Sequence, residues 1–207
     1  MNNYDLAVKI AKKVKEVGGI AYFVGGYVRD SILDIPNKDI DIEIHGIKPE
    51  ILKNILSELG DIQTIGNAFG IYNLKGYDLD IALPRKERCI GTGHKDFEVY
   101  VDPYIGTHAA ARRRDFTINA LMKNILTGEI VDEFNGLNDL KNHIIRHVDS
   151  STFREDSLRV LRACQFAARF NFKIASETIN LCKTMDLSTL PKERIAGELS
   201  KALLKAK

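Results

Sequence analysis

The chain has 207 residues, 44% of them hydrophobic and 28% charged, with a formal net charge of +2; it is long enough to bury a sizeable core in one large or two small domains and too apolar to be disordered. No run approaches the roughly 18 apolar residues needed to cross a bilayer, and Met1-Asn2-Asn3-Tyr4-Asp5 lacks the basic-then-apolar build of a signal peptide. Three scattered cysteines, Cys89, Cys164 and Cys182, suit a reducing cytoplasm and argue against a disulfide framework or a cysteine-built zinc site.

From the N-terminus, Leu6, Val8, Ile10, Ala11, Val14 and Val17 recur near a 3.6 period, which predicts an amphipathic helix over residues 4–17, stopped by Gly18-Gly19. Ile20–Val24 reads as a buried strand closed by Gly25-Gly26, and Tyr27–Leu33 as the next helix, ended near Pro36. Ile40, Ile42 and Ile44 alternate with Asp39, Asp41 and Glu43, the pattern of a half-buried strand with one acidic face. Pro49–Leu59 reads as a helix with proline near its start. Phe69–Leu74 and Tyr77–Leu83 read as strands joined through Gly76. Arg85–Asp102 reads as a loop with a short strand at Phe97–Val101, Arg112–Asn124 as a helix, Glu129–Val131 as a strand, and the chain from about Thr152 as helical, with Pro191 opening the last helix. Strands mixed with helices first and helices afterwards predict an α+β fold.

Two local patterns carry chemistry. In Gly25-Gly26-Tyr27-Val28-Arg29-Asp30, two glycines at a strand-to-helix turn let backbone N–H groups approach a phosphate, and Arg29 can add a fork of donors. The same residues also suit a plain turn. In Asp39-Ile40-Asp41, residues i and i+2 of a strand face one way, so the carboxylates converge on a point where a cation relieves their repulsion. Mg²⁺ favours carboxylate oxygens together with substrate phosphates, and the alternative is an acidic solvent face. Asp80, in Tyr77-Asp78-Leu79-Asp80, can add a third carboxylate from a neighbouring strand.

Gly-Gly-x-Val-Arg-Asp followed by Asp-x-Asp resembles the head domain of class II tRNA nucleotidyltransferases (CCA-adding enzymes) and bacterial poly(A) polymerases. Arg113-Arg114-Asp115-Phe116-Thr117-Ile118-Asn119-Ala120-Leu121, Asp132–Leu140 and Phe153-Arg154-Glu155-Asp156-Ser157-Leu158-Arg159-Val160-Leu161-Arg162-Ala163 resemble that family's later motifs, and the similarity runs on to Glu193-Arg194-Ile195. The resemblance implies a polymerase-β-type nucleotidyltransferase head with a small mixed sheet flanked by helices, about residues 1–140, and an all-helical neck, about 141–207. It implies that Asp39 and Asp41 hold Mg²⁺ for in-line nucleotidyl transfer, with Asp80 beside them. Gly25, Gly26, Arg29 and Arg114 would bind the triphosphate, Asp115 and Asn119 the ribose, and Asp156 and Arg159, with Arg162 nearby, would select C or A. The partners implied are the 3′ end of tRNA, CTP and ATP, with no membrane. A-only, CC-only or poly(A) addition shares these motifs, and a non-catalytic RNA- or nucleotide-binding remnant is the reading from another class.

Some residues depart from the family's pattern. Thr107-His108-Ala109-Ala110-Ala111 stands where acidic residues and an aspartate-leucine pair are usual, and no His-Asp dipeptide occurs, so a phosphohydrolase domain is not expected. Arg85–Gly93 matches a region described as a flexible loop important for nucleotide switching. His143-x-x-x-His147 has helical i, i+4 spacing but no third zinc ligand, which favours a structural role. Ending at Lys207, the chain is expected to be a catalytic core without the family's body and tail. Charge divides as well: residues 1–103 hold 13 Lys+Arg against 16 Asp+Glu, and residues 104–207 hold 17 against 12. A basic second half is compatible with a polyanion partner.

Overall fold

The computed structural model describes residues 1–64, 70–89 and 97–205, and Cα packing divides the chain into two units: Met1–Ala110 with Leu121–Asp132, and Ala111–Ala120 with Glu133–Lys207. In the first unit, α1 (Asn3–Glu16) starts on a capping box between Asn2 and Asp5, which satisfies backbone donors that the first helical turn leaves open. Then follow β1 (Ile20–Val24), α2 (Gly26–Ile32), β2 (Ile40–His45) and α3 (Pro49–Ser57), with Pro49 in the first turn where its missing N–H costs nothing. β3 (Ile62–Thr64), β4 (Ile71–Leu74) and β5 (Leu79–Ala82) come next; the chain turns between β4 and β5 through Gly76 at φ 88°. β6 (Arg85–Cys89) pairs with β7 (Phe97–Val101), and α4 (Thr107–Arg112), β8 (Met122–Asn124) and β9 (Ile130–Val131) follow.

Seven strands form a mixed sheet in the order β3-β4-β5-β2-β1-β8-β9, in which β2 and β5 are the parallel pair and the other neighbours are antiparallel. The period of two in the sequence sorts its faces. Ile40, Ile42 and Ile44 of β2 and Leu79 and Ile81 of β5 are buried, while Asp41 and Asp80 are exposed. Phe23, opposite Ile42 in the β1–β2 register, stacks on Tyr4 of α1 at 5.6 Å, so the apolar face is the one that α1 covers with Leu6, Ile10 and Val14. Each side chain buried this fully contributes about 1.5–3 kcal/mol relative to exposure. The mixed sheet with flanking helices is the one the sequence predicts.

The second unit contains α5 (Gly136–Lys141), β10 (Ile144–Ile145), α6 (Ser150–Arg154), α7 (Leu158–Phe170), β11 (Lys173–Ile174), α8 (Ser176–Cys182) and α9 (Lys192–Lys205). Among the described residues its strands are the two-residue parallel pair of β10 and β11, with one further bridge between Phe116 and His147. α7 packs along α9, and Phe116 meets both Phe153 and Phe166 edge-on at 5.7 Å between ring centroids.

Three stretches differ from the sequence reading. Arg85–Cys89 is a strand, because its backbone pairs with Phe97–Val101 residue for residue. Phe69 and residues 90–96, the tip of the Arg85–Gly93 region, lie outside the described residues. The helix expected over Arg112–Asn124 does not form: α4 ends at Arg112, a 3₁₀ turn spans Thr117–Asn119, and Met122–Asn124 joins the sheet as β8. Every residue from Phe116 to Met122 is buried, so apolar demand on all sides, with β8 pairing to β1, overrides the apparent helical periodicity.

Candidate functional site

The first group of site residues lies in the first unit. β1 ends at Val24, and Gly25 follows it as the cap of α2, with a φ of 65° and ψ of −130° that suit glycine and no side-chain-bearing residue comfortably. Its carbonyl accepts the N–H of Arg29 at 3.2 Å as α2 begins. The β1–β2 register, with Phe23 opposite Ile42, carries the Gly25-Gly26 turn to the end of the sheet where Asp39 enters β2. Arg29 does not point outward from this turn. It is 3% exposed and bonds Asp30, itself 1% exposed, through Nε at 2.7 Å and a terminal nitrogen at 2.6 Å.

Asp41 stands opposite Asp80 in the parallel β2–β5 register. Paired positions of neighbouring strands share a face and lie about 4.8 Å apart, so these exposed carboxylates are side by side, and Asp39, also exposed, stands one residue before β2 begins. Asn73 of β4 donates to Asp80 at 2.9 Å, an orienting contact the sequence reading missed. The acidic face stops there: Glu43, next in the alternation, is 1% exposed and bonded to His45 at 2.9 Å, with Tyr22 edge-on to the imidazole. Among the described residues no three His, Cys, Asp or Glu side chains converge as a ready-made metal cage. The donor set fits Mg²⁺ all the same. That ion keeps several waters and is held by one or two carboxylates plus substrate phosphates rather than by an all-protein cage.

The second group lies in the second unit. Asp115 and Asn119 meet across the start of a 3₁₀ turn rather than on an α-helix: Asn119 Nδ2 donates to Asp115 at 3.0 Å. Asp115 also accepts its neighbour Phe116 N–H at 2.8 Å, and its second oxygen takes Arg162 at 2.6 and 2.8 Å. Burial pushes the Asp115 carboxyl up, but Arg162, the Asn119 bond and Arg159 outweigh it and hold the group below its ordinary range. Arg162 is held charged by Asp115, Glu198 and Asp156 against its own burial. Its guanidinium reaches Glu198 at 3.9 Å and lies over the Phe166 ring. Arg114 stands half-buried just before Asp115.

Asp156 accepts Arg194 of α9 at 2.9 Å and the Leu158 N–H at 3.1 Å. Arg159 donates to the carbonyls of Thr152 at 2.9 Å and Arg113 at 2.6 Å, which fixes the plane of its guanidinium. Arg194 and Glu198 are therefore partners of the group that the sequence reading did not assign. Their i, i+4 spacing, one face of a helix, was the available signal. His143 and His147 do not share a helix. They flank β10, with His147 between Thr178 and Ser150 at 2.8 and 2.9 Å and His143 against Phe172.

The chain is similar to known proteins in sequence and fold. The model of the Poly A polymerase head domain family matches residues 21–146. The multifunctional CCA protein of Nitrosospira multiformis is 37% identical over 187 residues, which is 88% of this chain and 44% of that protein. Among solved structures, a Bacillus stearothermophilus CCA-adding enzyme in complex with CTP superposes with a TM-score of 0.80 at 28% identity over 98% of this chain and 49% of its own. A Thermotoga maritima CCA-adding enzyme complexed with tRNA gives 0.79 at 30% identity over 98% and 47%. The chain spans about half the length of these relatives. With the family model covering more than half of the sequence and the mixed sheet shared with those structures, the chain belongs to the Poly A polymerase head domain family.

Proposed function

We propose that the chain is the catalytic core of a template-independent nucleotidyltransferase that adds C and A to tRNA 3′ ends from CTP and ATP, with release of pyrophosphate. The observation that carries this reading is the Asp41–Asp80 register beside Asp39, at the end of the sheet reached by the Gly25-Gly26 turn. Asp39 and Asp41 would hold Mg²⁺, with Asp80 steadied beside them by Asn73. When bound, the ion neutralises triphosphate charge and favours the ionised form of the attacking 3′-hydroxyl. The open backbone at Gly25 and Gly26 receives the phosphates; Arg114, in the second unit, is a cation of the kind a triphosphate attracts. Residues 1–140 serve as the catalytic head.

Residues 141–207 serve as a neck that selects the base. Asp156 offers acceptor atoms and Arg159 a guanidinium plane fixed by two carbonyls, a donor–acceptor pair suited to the edge of C or A. Asp115 and Asn119 are joined and held by Arg162, and present a ready-made polar pair to a ribose hydroxyl. Two carboxylates that must bind a cation cannot be replaced singly without losing it. Asp41→Ala is therefore expected to abolish incorporation of labelled CMP and AMP into tRNA lacking its terminus while the far-UV circular dichroism stays that of the parent. An active Asp41→Ala variant would overturn the assignment. With the parent chain, CTP and ATP supplied separately and together give a ladder that reads C, CC, CCA, a long A tail or nothing, which separates CCA addition from its relatives and from a non-catalytic remnant.

A further inference from the structure

Between the Gly25-Gly26 turn and Asp39 runs an unbroken line of hydrogen bonds. It begins in the buried Arg29–Asp30 pair, which bonds at 2.6 and 2.7 Å. The other oxygen of Asp30 accepts Asn37 Nδ2 at 2.9 Å, and Asn37 Oδ1 accepts the backbone N–H of Asp39 at 2.9 Å. The partners fix the orientation of the Asn37 amide, because a carboxylate needs a donor and an N–H needs an acceptor. Asp30 is also tied through its backbone, its carbonyl accepting Ile35 N–H at 2.9 Å, so both ends of the 30–37 connection are clamped. A buried ion pair resists displacement, since removing either member strands the other charge. It is a rigid post to which the exposed start of β2 can be tied.

We propose that Asn37 is a positioning residue for the Asp39–Asp41 carboxylates, and that Arg29 acts through Asp30 as its buried anchor. The inference rests on the nucleotidyl-transfer reading above and adds what holds the carboxylates in place. Neither Asn37 nor Arg29 touches the ion. The amide sets the backbone from which Asp39 projects, so its loss leaves the carboxylates present but badly aimed. Second-layer contacts of this kind typically govern metal affinity by about 10- to 100-fold.

Mn²⁺, whose free form gives an electron paramagnetic resonance signal, is the probe for the full 207-residue chain. Asn37→Ala removes both bonds and is expected to weaken Mn²⁺ binding by about tenfold or more. The Mg²⁺ concentration for half-maximal incorporation should rise in parallel, while KM for CTP at saturating Mg²⁺ stays close to that of the parent. Asn37→Ser restores an oxygen able to accept the Asp39 N–H two residues on, and is expected to recover a large part of the affinity. It also carries the test if the alanine variant folds poorly. Unchanged Mn²⁺ affinity in Asn37→Ala overturns the inference, as does a serine variant as weak as the alanine one. Asp41→Ala, run in parallel, separates the two levels. If it retains the Mn²⁺ site, the carboxylate assignment itself falls; if it loses the site and Asn37→Ala does not, only the role of Asn37 falls.

Discussion

Arg162 is fixed by two buried carboxylates of unequal reach, Asp115 at 2.6 Å and Glu198 at 3.9 Å. Removing one member of a buried pair leaves the other charge uncompensated, at a cost of about 3–5 kcal/mol. The Asp115–Arg162 pair thus holds the polar edge that the ribose would meet, and the aspartate does this only while ionised. Because the folded-state carboxyl lies below its ordinary value of 3.8, its contribution is fully present above that value and is lost as pH falls through the lower folded value. Asp115→Asn should therefore lower the urea unfolding free energy by about 3 kcal/mol at pH 7, and the gap to the parent should close as the pH is taken below 3.8. A gap that stays constant across that window would mean that the charge of Asp115 contributes nothing to the fold.

Elements show where sequence reasoning reaches and where it stops. The isoleucine–aspartate alternation gave β2 and its acidic face because period two is a local property, and β5 was legible from Leu79-Asp80-Ile81 for the same reason. That Asp41 stands opposite Asp80 was not legible, since register between two strands joined through other elements is set by packing and leaves no mark in either segment. The same limit explains the 112–124 stretch, where Phe116 packs on Phe153 and Phe166 and Met122 pairs with Val24, partners distant in the chain. Asp115 and Asn119 met anyway, by another route: Phe116 is extended, and the 3₁₀ turn at Thr117–Asn119 folds Asn119 back onto the Asp115 carboxylate. The Gly25 turn was legible as a glycine pair, but its strain was not. With φ at 65° and ψ at −130°, a methyl group at this position costs about 1–3 kcal/mol. Gly25→Ala should lower the melting temperature by roughly 2–4 °C for each kcal/mol in a chain of this length and raise KM for the nucleotide. An unchanged melting temperature would show that the turn accommodates a side chain without strain.

At the scale of the molecule, the division of charge follows the packing more closely than it follows the halves of the sequence. The first unit holds 14 Lys+Arg against 18 Asp+Glu, a net of −4, and the second holds 16 against 10, a net of +6. An acidic unit with exposed carboxylates suits cations and repels a nucleic acid backbone, whereas a basic unit attracts it and releases counterions on binding. The net charge of +2 conceals this opposition. If the proposed tRNA partner is drawn by the second unit, the salt dependence of binding must depend on where positive charge is removed as well as on how much. Lys173, Lys183 and Lys192 are exposed in the second unit, and Lys9, Lys12 and Lys75 are exposed in the first. Changing either trio to glutamine subtracts the same three charges. The first trio should flatten the plot of log affinity for tRNA against log salt by about 0.7–0.9 for each phosphate that the protein no longer neutralises, and the second should leave the slope near that of the parent. Equal slopes from the two triple variants would mean that only net charge steers the RNA and that the basic unit has no privileged part in holding it.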